Sequence, residues 1–126
     1  MRAVDTNVLV RLIVRDDARQ VESAHEFISK GVWVSHVVLA ETSWVLQSVF
    51  EFNAERIAFA VDMLLNHAHV TVQDADAVQA ALEGFRKRPA VRFADNLIVE
   101  IARKNGHLPV GTFDRDLSKL EGTQRL

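Results

Sequence analysis

Short apolar segments of strand character alternate with segments of helical periodicity along this chain. Strands are predicted at residues 2–5, 32–35, 69–73 and 108–113, each rich in β-branched or other apolar side chains. Helix-length segments separate these strands, and this alternation is typical of a parallel sheet with helices on both of its faces. We therefore predict an α/β fold with three layers, α/β/α, around a central parallel sheet of short strands.

The predicted helices begin at capping residues and end at residues that interrupt a helix. For example, Asn53 can cap one helix, and Asn105 with Gly106 closes another. The predicted helices cover 7–15, 16–30, 36–50, 53–67, 74–88, 91–104 and a short segment from Asp114, and the tail 123–126 could add an edge strand. No linker or repeat interrupts this order, so we expect a single domain over residues 1–126.

The composition excludes several classes of site. The chain has 126 residues and is 48% apolar, which suits one domain with a hydrophobic core. It contains no cysteine, which rules out disulfides, thiolate zinc sites and a cysteine nucleophile. With a first strand at residue 2 and no long apolar run, we expect no signal peptide, no membrane span and a cytoplasmic location. The net charge of −2 does not by itself indicate a nucleic-acid binder.

Two aspartates follow predicted strands directly. Asp5 ends the first strand and Asp114 follows the fourth. In parallel sheets, sites form beyond the carboxyl ends of the strands, so both carboxylates are expected at one sheet edge. The alternative is that each aspartate only caps the helix that follows it.

Two further carboxylates lie among apolar residues on predicted helices. Glu41 has Val37 and Trp44 as helical neighbours, so we expect it on the buried stripe. Asp95 is similarly placed, with three apolar residues among its four helical neighbours. A buried carboxylate is costly unless it is paired or bound to a metal. Alternatively, Glu41 extends to the surface, and Asp95 is a first-turn acid that interacts with the helix dipole.

A divalent cation would offset the repulsion among four such carboxylates. Oxygen ligands without cysteine or histidine favour Mg²⁺, with Mn²⁺ as a substitute. An acidic magnesium site without a nucleotide-binding loop suits phosphodiester hydrolysis, because the metal orients the phosphate and activates water. The sequence thus predicts a metal-dependent hydrolase with Asp5, Glu41, Asp95 and Asp114 as catalytic metal ligands.

Four stretches in this order resemble the PIN-domain toxins of the VapC type. They are VDTNVLVR at 4–11, LAETSWVL at 39–46, FADNLIVEIARKNG at 93–106 and VGTFDRDLSKL at 110–120. The resemblance covers essentially the whole chain. It implies a Mg²⁺-dependent endoribonuclease that acts as the toxin of a toxin–antitoxin pair, with structured RNA such as tRNA as substrate, a cognate antitoxin and frequent homodimers.

The same resemblance assigns roles by position. It places the metal ligands at Asp5, Glu41, Asp95 and Asp114, with Asp116 as a further candidate. It implies that Thr6, Asn7 and Thr112 support these ligands.

Arg92 departs from the family pattern, which often has an acid three residues before the helix aspartate. Its guanidinium could pair with Asp95 and weaken metal binding, contact an RNA phosphate, or simply face solvent. The nearby run Arg86, Lys87 and Arg88 is either a solvated face or a contact for the RNA backbone.

The helix predicted at 53–67 carries two apolar faces. Ile57, Val61, Leu64 and Leu65 form one, and Phe52, Phe59 and Met63, joined by Arg56, form the other. We expect a protein partner, an antitoxin or a second copy, on the second face, unless a helix of the same chain covers it.

Two functions of other classes stay open at this point. One is a catalytically weak PIN-like binding module, which the presence of Arg92 favours. The other is a phosphoacceptor receiver domain, which has a similar length and an acidic pocket but leaves the acids on the helices unexplained.

Overall fold

The predicted alternation of strands and helices is present in the computed structural model, which describes residues 1–126. The chain forms two structural units, residues 1–75 and residues 76–126. Both contain short parallel strands and helices, which confirms the predicted α/β fold class. None of the helices has the length and apolarity that a membrane crossing requires. The single domain over residues 1–126 stays a prediction.

The first unit contains a three-stranded parallel sheet with the strand order β1-β2-β3. Its pairing sets Ala3 opposite Trp33, and Trp33 opposite Thr71. The elements are β1 (Arg2–Ala3), α1 (Thr6–Val14), α2 (Ala18–Ile28), β2 (Val32–Val34), α3 (His36–Ser48), α4 (Ala54–Asn66) and β3 (Val70–Val72). Helix α1 packs against α2 and α3, and α4 packs against β3.

Side-chain caps fix where the helices of the first unit begin. The Asn53 side chain accepts a hydrogen bond from the backbone N–H of Arg56, which confirms the predicted start of α4. Asp17 caps α2 and Ser35 caps α3 in the same way. The core of the unit consists of side chains that water barely reaches: Leu9, Val10, Ile28, Val32, Val34, Leu39, Leu46 and Leu64.

The second unit contains a separate two-stranded parallel sheet. Its elements are α5 (Ala75–Lys87), α6 (Phe93–Lys104), β4 (Val110–Thr112), a 3₁₀ turn at Leu117–Lys119 and β5 (Thr123–Arg125). Strand β5 pairs with β4, so the predicted edge strand at the tail is confirmed. Because β4 bonds to β5 and to none of the first three strands, the expectation that Asp5 and Asp114 end strands of one hydrogen-bonded sheet was wrong.

Helices α5 and α6 approach each other closely at Gly84. A Cβ atom at this position would lie 2.5 Å from Oδ1 of Asn96, closer than packed atoms tolerate. The buried Asn96 amide in turn donates to the carbonyls of Val91 and Arg92, at 3.2 and 3.1 Å, and so holds the start of α6. Glycine at residue 84 therefore leaves room for the side chain that orders the loop before α6.

Candidate active site

Asp5 lies at the junction of β1 and α1, as predicted. Its Oδ1 accepts a hydrogen bond from the backbone N–H of Val8 at 3.2 Å, so Asp5 is the N-cap of α1. The side chain is exposed, and its second oxygen accepts no hydrogen bond from the protein. The capping role and a metal-binding role are therefore compatible, because each uses a different oxygen.

Asp5 borders a cleft between α1 and α2. Asn7 and Arg11 line the same cleft, which has a volume of about 590 Å³. Arg11 lies one helical turn after Asn7 and forms an ion pair with Asp16. Sequence reasoning did not select Arg11, although its spacing from Asn7 along α1 would have indicated a shared face.

Glu41 and Thr6 are in direct contact. Thr6 is 8% exposed, and its hydroxyl donates a hydrogen bond to Oε1 of Glu41. The contact joins the first turn of α1 to the middle of α3. The implied supporting role of Thr6 therefore has a physical basis in this structure, because a donated hydrogen bond orients a carboxylate.

The expectation that Glu41 lies on the buried stripe of α3 was wrong. Glu41 is exposed, and so are its neighbours Val37 and Trp44. The buried face of α3 consists instead of Leu39, Thr42, Ser43 and Leu46. Apolar residues occur on both faces of this helix, and its packing against α1 decides which face is buried.

Asp95 lies in the first turn of α6, in the second unit. Its side chain is 15% exposed and its Oδ2 is 3.4 Å from Nε of Arg92. Of the three interpretations of Arg92, pairing with Asp95 is the one observed.

Asp114 follows β4 and organises the turn after it. Its Oδ1 accepts hydrogen bonds from the backbone N–H groups of Asp116, at 2.8 Å, and Leu117, at 3.2 Å. The hydroxyl of Thr112 accepts a hydrogen bond from the backbone N–H of Asp114 at 2.9 Å, which fits the implied supporting role. Asp116 is exposed and forms an ion pair with Lys119 at 3.4 Å.

The four predicted ligands share one feature. In each, one carboxylate oxygen is held by the protein and the other has no protein partner. Such half-engaged carboxylates are oriented and still able to bind a hard cation, so their donor chemistry fits Mg²⁺ or Mn²⁺. Asp5 and Glu41 lie in the first unit and Asp95 and Asp114 in the second, and the structure contains no group of three or more acidic or histidine side chains placed to hold a metal.

Arg86, Lys87 and Arg88, at the end of α5, are exposed. Both interpretations of this basic run, a solvated face and a contact for the RNA backbone, require that exposure. Lys87 and Arg88 line a polar cleft of about 520 Å³ together with Arg103 and Lys119. Three glutamates, Glu83, Glu100 and Glu121, line it as well, so the cleft carries mixed charge.

A larger groove of about 800 Å³ lies between α1 and α4. The second apolar face of α4 lines it, but its members differ in exposure: Phe59 is 73% exposed and Phe52 only 7%. The guanidinium of Arg56 lies 3.7 Å from the centre of the Phe52 ring and covers it. The other wall carries Leu12 and Ile13 with the cationic Arg15, none of which sequence reasoning assigned to this surface.

Comparison with known proteins supports the sequence resemblance at the level of the family. The PIN domain family matches residues 2–122. No curated protein and no solved structure matches the chain significantly. PIN domains are generally nucleases and typically use divalent metal ions. Because the match spans nearly the entire sequence, the chain belongs to the PIN domain family, whose fold is of the nuclease type.

Proposed function

We propose that the chain is a metal-dependent endoribonuclease that acts as the toxin of a toxin–antitoxin pair. The observation that carries this proposal is the hydrogen bond from Thr6 to Glu41, which orients an exposed carboxylate and leaves its second oxygen free. Membership of the PIN domain family supports hydrolysis of phosphodiester bonds. We place the activity in the cytoplasm, where the proposed RNA substrates and a reducing environment occur together.

Asp5, Glu41, Asp95 and Asp114 are the proposed ligands of Mg²⁺, for which Mn²⁺ can substitute. When bound, the metal supplies orientation of the phosphate, activation of water and stabilisation of the leaving oxygen. Thr6 fixes Glu41, and the turn that follows β4 fixes Asp114. Asn7 is proposed to support the ligands from the wall of the cleft beside Asp5, and Asp116 is a further candidate ligand.

RNA is the proposed substrate, and structured RNA such as tRNA is the form that the toxin resemblance implies. Arg86, Lys87 and Arg88 are exposed at the end of α5, where their charges can neutralise backbone phosphates. Arg92 is the fourth proposed contact. Its side chain is 52% exposed, so it can reach a phosphate while it remains beside Asp95.

A catalytically weak binding module is the second candidate function. The observation that favours it is the ion pair between Arg92 and Asp95, in which a fixed cation stands beside a proposed metal ligand. The receiver-domain alternative loses its basis, because the family match assigns the same residues to a PIN domain.

A cognate antitoxin is the proposed occupant of the groove between α1 and α4. The groove offers Phe59 and Met63 as apolar contacts, and Arg15 and Arg56 as cations. This chemistry suits a peptide segment that carries both apolar and acidic side chains. A homodimer is the second assembly that we propose, by analogy with the toxins that the sequence resembles.

RNA cleavage in the presence of Mg²⁺, Mn²⁺ or EDTA tests the proposal. We expect wild-type protein to cut RNA internally with either metal and to be inactive in EDTA. Glu41→Gln and Asp95→Asn are expected to lose this activity. The matched controls are Glu22→Gln and Asp76→Asn, which change exposed carboxylates elsewhere in the respective units. Equal cleavage by all four variants would contradict the proposed site.

A further inference from the structure

The exposed face of α3 carries an indole one helical turn from Glu41. Trp44 is 55% exposed, and Val37, two turns before it on the same face, is 77% exposed. Glu41 lies between them and is exposed as well. A large aromatic ring left in water beside a proposed metal ligand is unusual in a core-forming helix, because tryptophan is highly buried on average.

The surroundings of Trp44 favour a small flat ligand over a protein partner. Its helical neighbours at three and four residues are Ala40, Glu41, Gln47 and Ser48, none of which is a large apolar side chain. The indole therefore has no large apolar neighbour within one helical turn on its face, and Val37 lies two turns away. A protein that covered the whole face would also have to supply a cation or a hydrogen-bond donor for the carboxylate of Glu41, because burial of an unpaired carboxylate is costly.

We infer that Trp44 stacks on an unpaired nucleotide base adjacent to the phosphate that is cleaved. This inference rests on the proposed nuclease function and deepens it, because it assigns the recognition of unpaired RNA to one residue. Bases of any identity stack on aromatic rings, and stacking requires that the base be free of a partner strand.

The spacing on the helix matches this assignment. Side chains three residues apart have Cβ atoms about 5–6 Å apart, so a ligand on the indole is within one nucleotide of the Glu41 carboxylate. The carboxylate repels a phosphate and the indole attracts a base. The two side chains therefore orient a nucleotide, with its base on Trp44 and its phosphate directed to the cation that Glu41 is proposed to hold.

Tryptophan fluorescence tests the contact directly. The chain has two tryptophans, so Trp33→Phe leaves Trp44 as the only indole. We combine it with Asp5→Asn to prevent cleavage and titrate, in Mg²⁺, an unstructured ten-nucleotide RNA and the same RNA annealed to its complement. The single strand is expected to quench Trp44 fluorescence and the duplex to quench it far less. Absence of quenching when anisotropy shows the single strand to be bound would overturn the inference.

Steady-state cleavage of the single strand gives a second readout. Trp44→Ala is expected to raise KM about tenfold and to leave kcat within about twofold, because stacking contributes to binding of the base. Trp44→Phe, which keeps an aromatic ring, should recover most of this loss. Trp33→Phe is the matched control, since it changes the other tryptophan of the chain, which lies on β2.

Two outcomes separate this inference from the proposed function. If wild-type protein cuts RNA and Trp44→Ala has an unchanged KM but an altered oligomeric state by sedimentation, Trp44 is a contact between proteins and the stacking inference is wrong. If wild-type protein cuts no RNA with either metal and the single strand still quenches Trp44, the nuclease proposal fails while the stacking contact stands.

Discussion

Thr6 and Glu41 are 35 residues apart in sequence and share a hydrogen bond that connects α1 to α3. Thr6 is buried and Glu41 is exposed, so the bond runs from the interior of the unit to a carboxylate on its surface. An exposed carboxylate needs no such bond for its stability, since water would solvate it. The bond instead fixes the orientation of Glu41, which is what a metal ligand requires.

Thr6→Val should reduce metal-dependent cleavage about 10- to 100-fold, the range typical of the loss of a hydrogen bond that orients a ligand. The melting temperature in EDTA should change little, because valine has nearly the same shape and the freed carboxylate is exposed. Thr6→Ser keeps the hydroxyl and should keep most of the activity. Thr71→Val, at an exposed threonine of β3, is the control. Full activity in Thr6→Val would show that Glu41 needs no support from Thr6.

Substitutions of Asp5 should separate its capping role from its proposed metal role. Asparagine caps helices about as well as aspartate, so Asp5→Asn should keep the stability of the metal-free protein and lose metal-dependent activity. Asp5→Ala should lose activity and also about 0.5–2 kcal/mol of stability. Urea denaturation in EDTA and RNA cleavage in Mg²⁺ measure the two effects. If the Asp5→Asn protein kept metal-dependent activity, Asp5 would have only the role of a helix cap.

Arg92→Ala should tighten Mg²⁺ binding, because the guanidinium beside Asp95 competes with a cation for that carboxylate. The Arg92 side chain is about half-exposed, so water screens the pair and it contributes at most about 1 kcal/mol, and we expect an effect of no more than about fivefold. Calorimetric titration of Mg²⁺ measures it, with Arg19→Ala as an exposed control. Two results together would instead assign Arg92 to a phosphate contact. The Mg²⁺ affinity would be unchanged, and the slope of log RNA affinity against log salt concentration would fall in magnitude by about one.

The double variant Phe59→Asp with Met63→Asp should fold and fail to bind the antitoxin. Phe59 is largely exposed and Met63 is half-buried, so the charges enter the groove and leave the core intact. Circular dichroism checks folding, and co-purification with a co-expressed candidate antitoxin checks binding. Phe113→Asp, at an exposed phenylalanine of the second unit, is the control. Unfolding of the double variant would show that the second face of α4 belongs to the core.

Gly84→Ala should destabilise the protein by about 1–3 kcal/mol, because the added methyl group would overlap Oδ1 of Asn96. At an exposed helix position the same change stabilises a protein by about 1 kcal/mol, so a destabilising effect would indicate that α6 lies close to residue 84. Thermal or urea denaturation measures it. Combination with Asn96→Ala should make the alanine at residue 84 less costly, because the obstructing amide is then absent. Stabilisation by Gly84→Ala alone would contradict the observed packing.

The order and type of the elements could be predicted from the sequence because local signals mark them. Asn53 caps α4 as its side chain predicts, and Gly106 follows α6 in the left-handed conformation that glycine favours. The element bounds agree to within a few residues, and most strands are shorter than predicted. Each strand has two or three residues, too few for side-chain alternation to specify which strands pair.

The environment of Glu41 could not be predicted for a different reason. Valine, leucine and tryptophan residues of α3 are distributed around the whole helix, so hydrophobic periodicity does not indicate which face is buried. Contacts with α1, distant in sequence, bury Leu39 and Leu46 and leave Trp44 exposed. The sequence indicated Glu41 as a metal ligand because its apolar helical neighbours, Val37 and Trp44, were expected to be buried, and both are exposed. Its hydrogen bond to Thr6 is a tertiary contact that no local pattern indicates.

The ion pair between Arg92 and Asp95 means that this carboxylate already has a counter-ion in the structure. Arg92 supplies it from the N-cap position of α6, three residues before Asp95. On the proposal that Asp95 is a metal ligand, metal loading is an exchange of one counter-ion for another, and removal of the metal leaves the carboxylate paired.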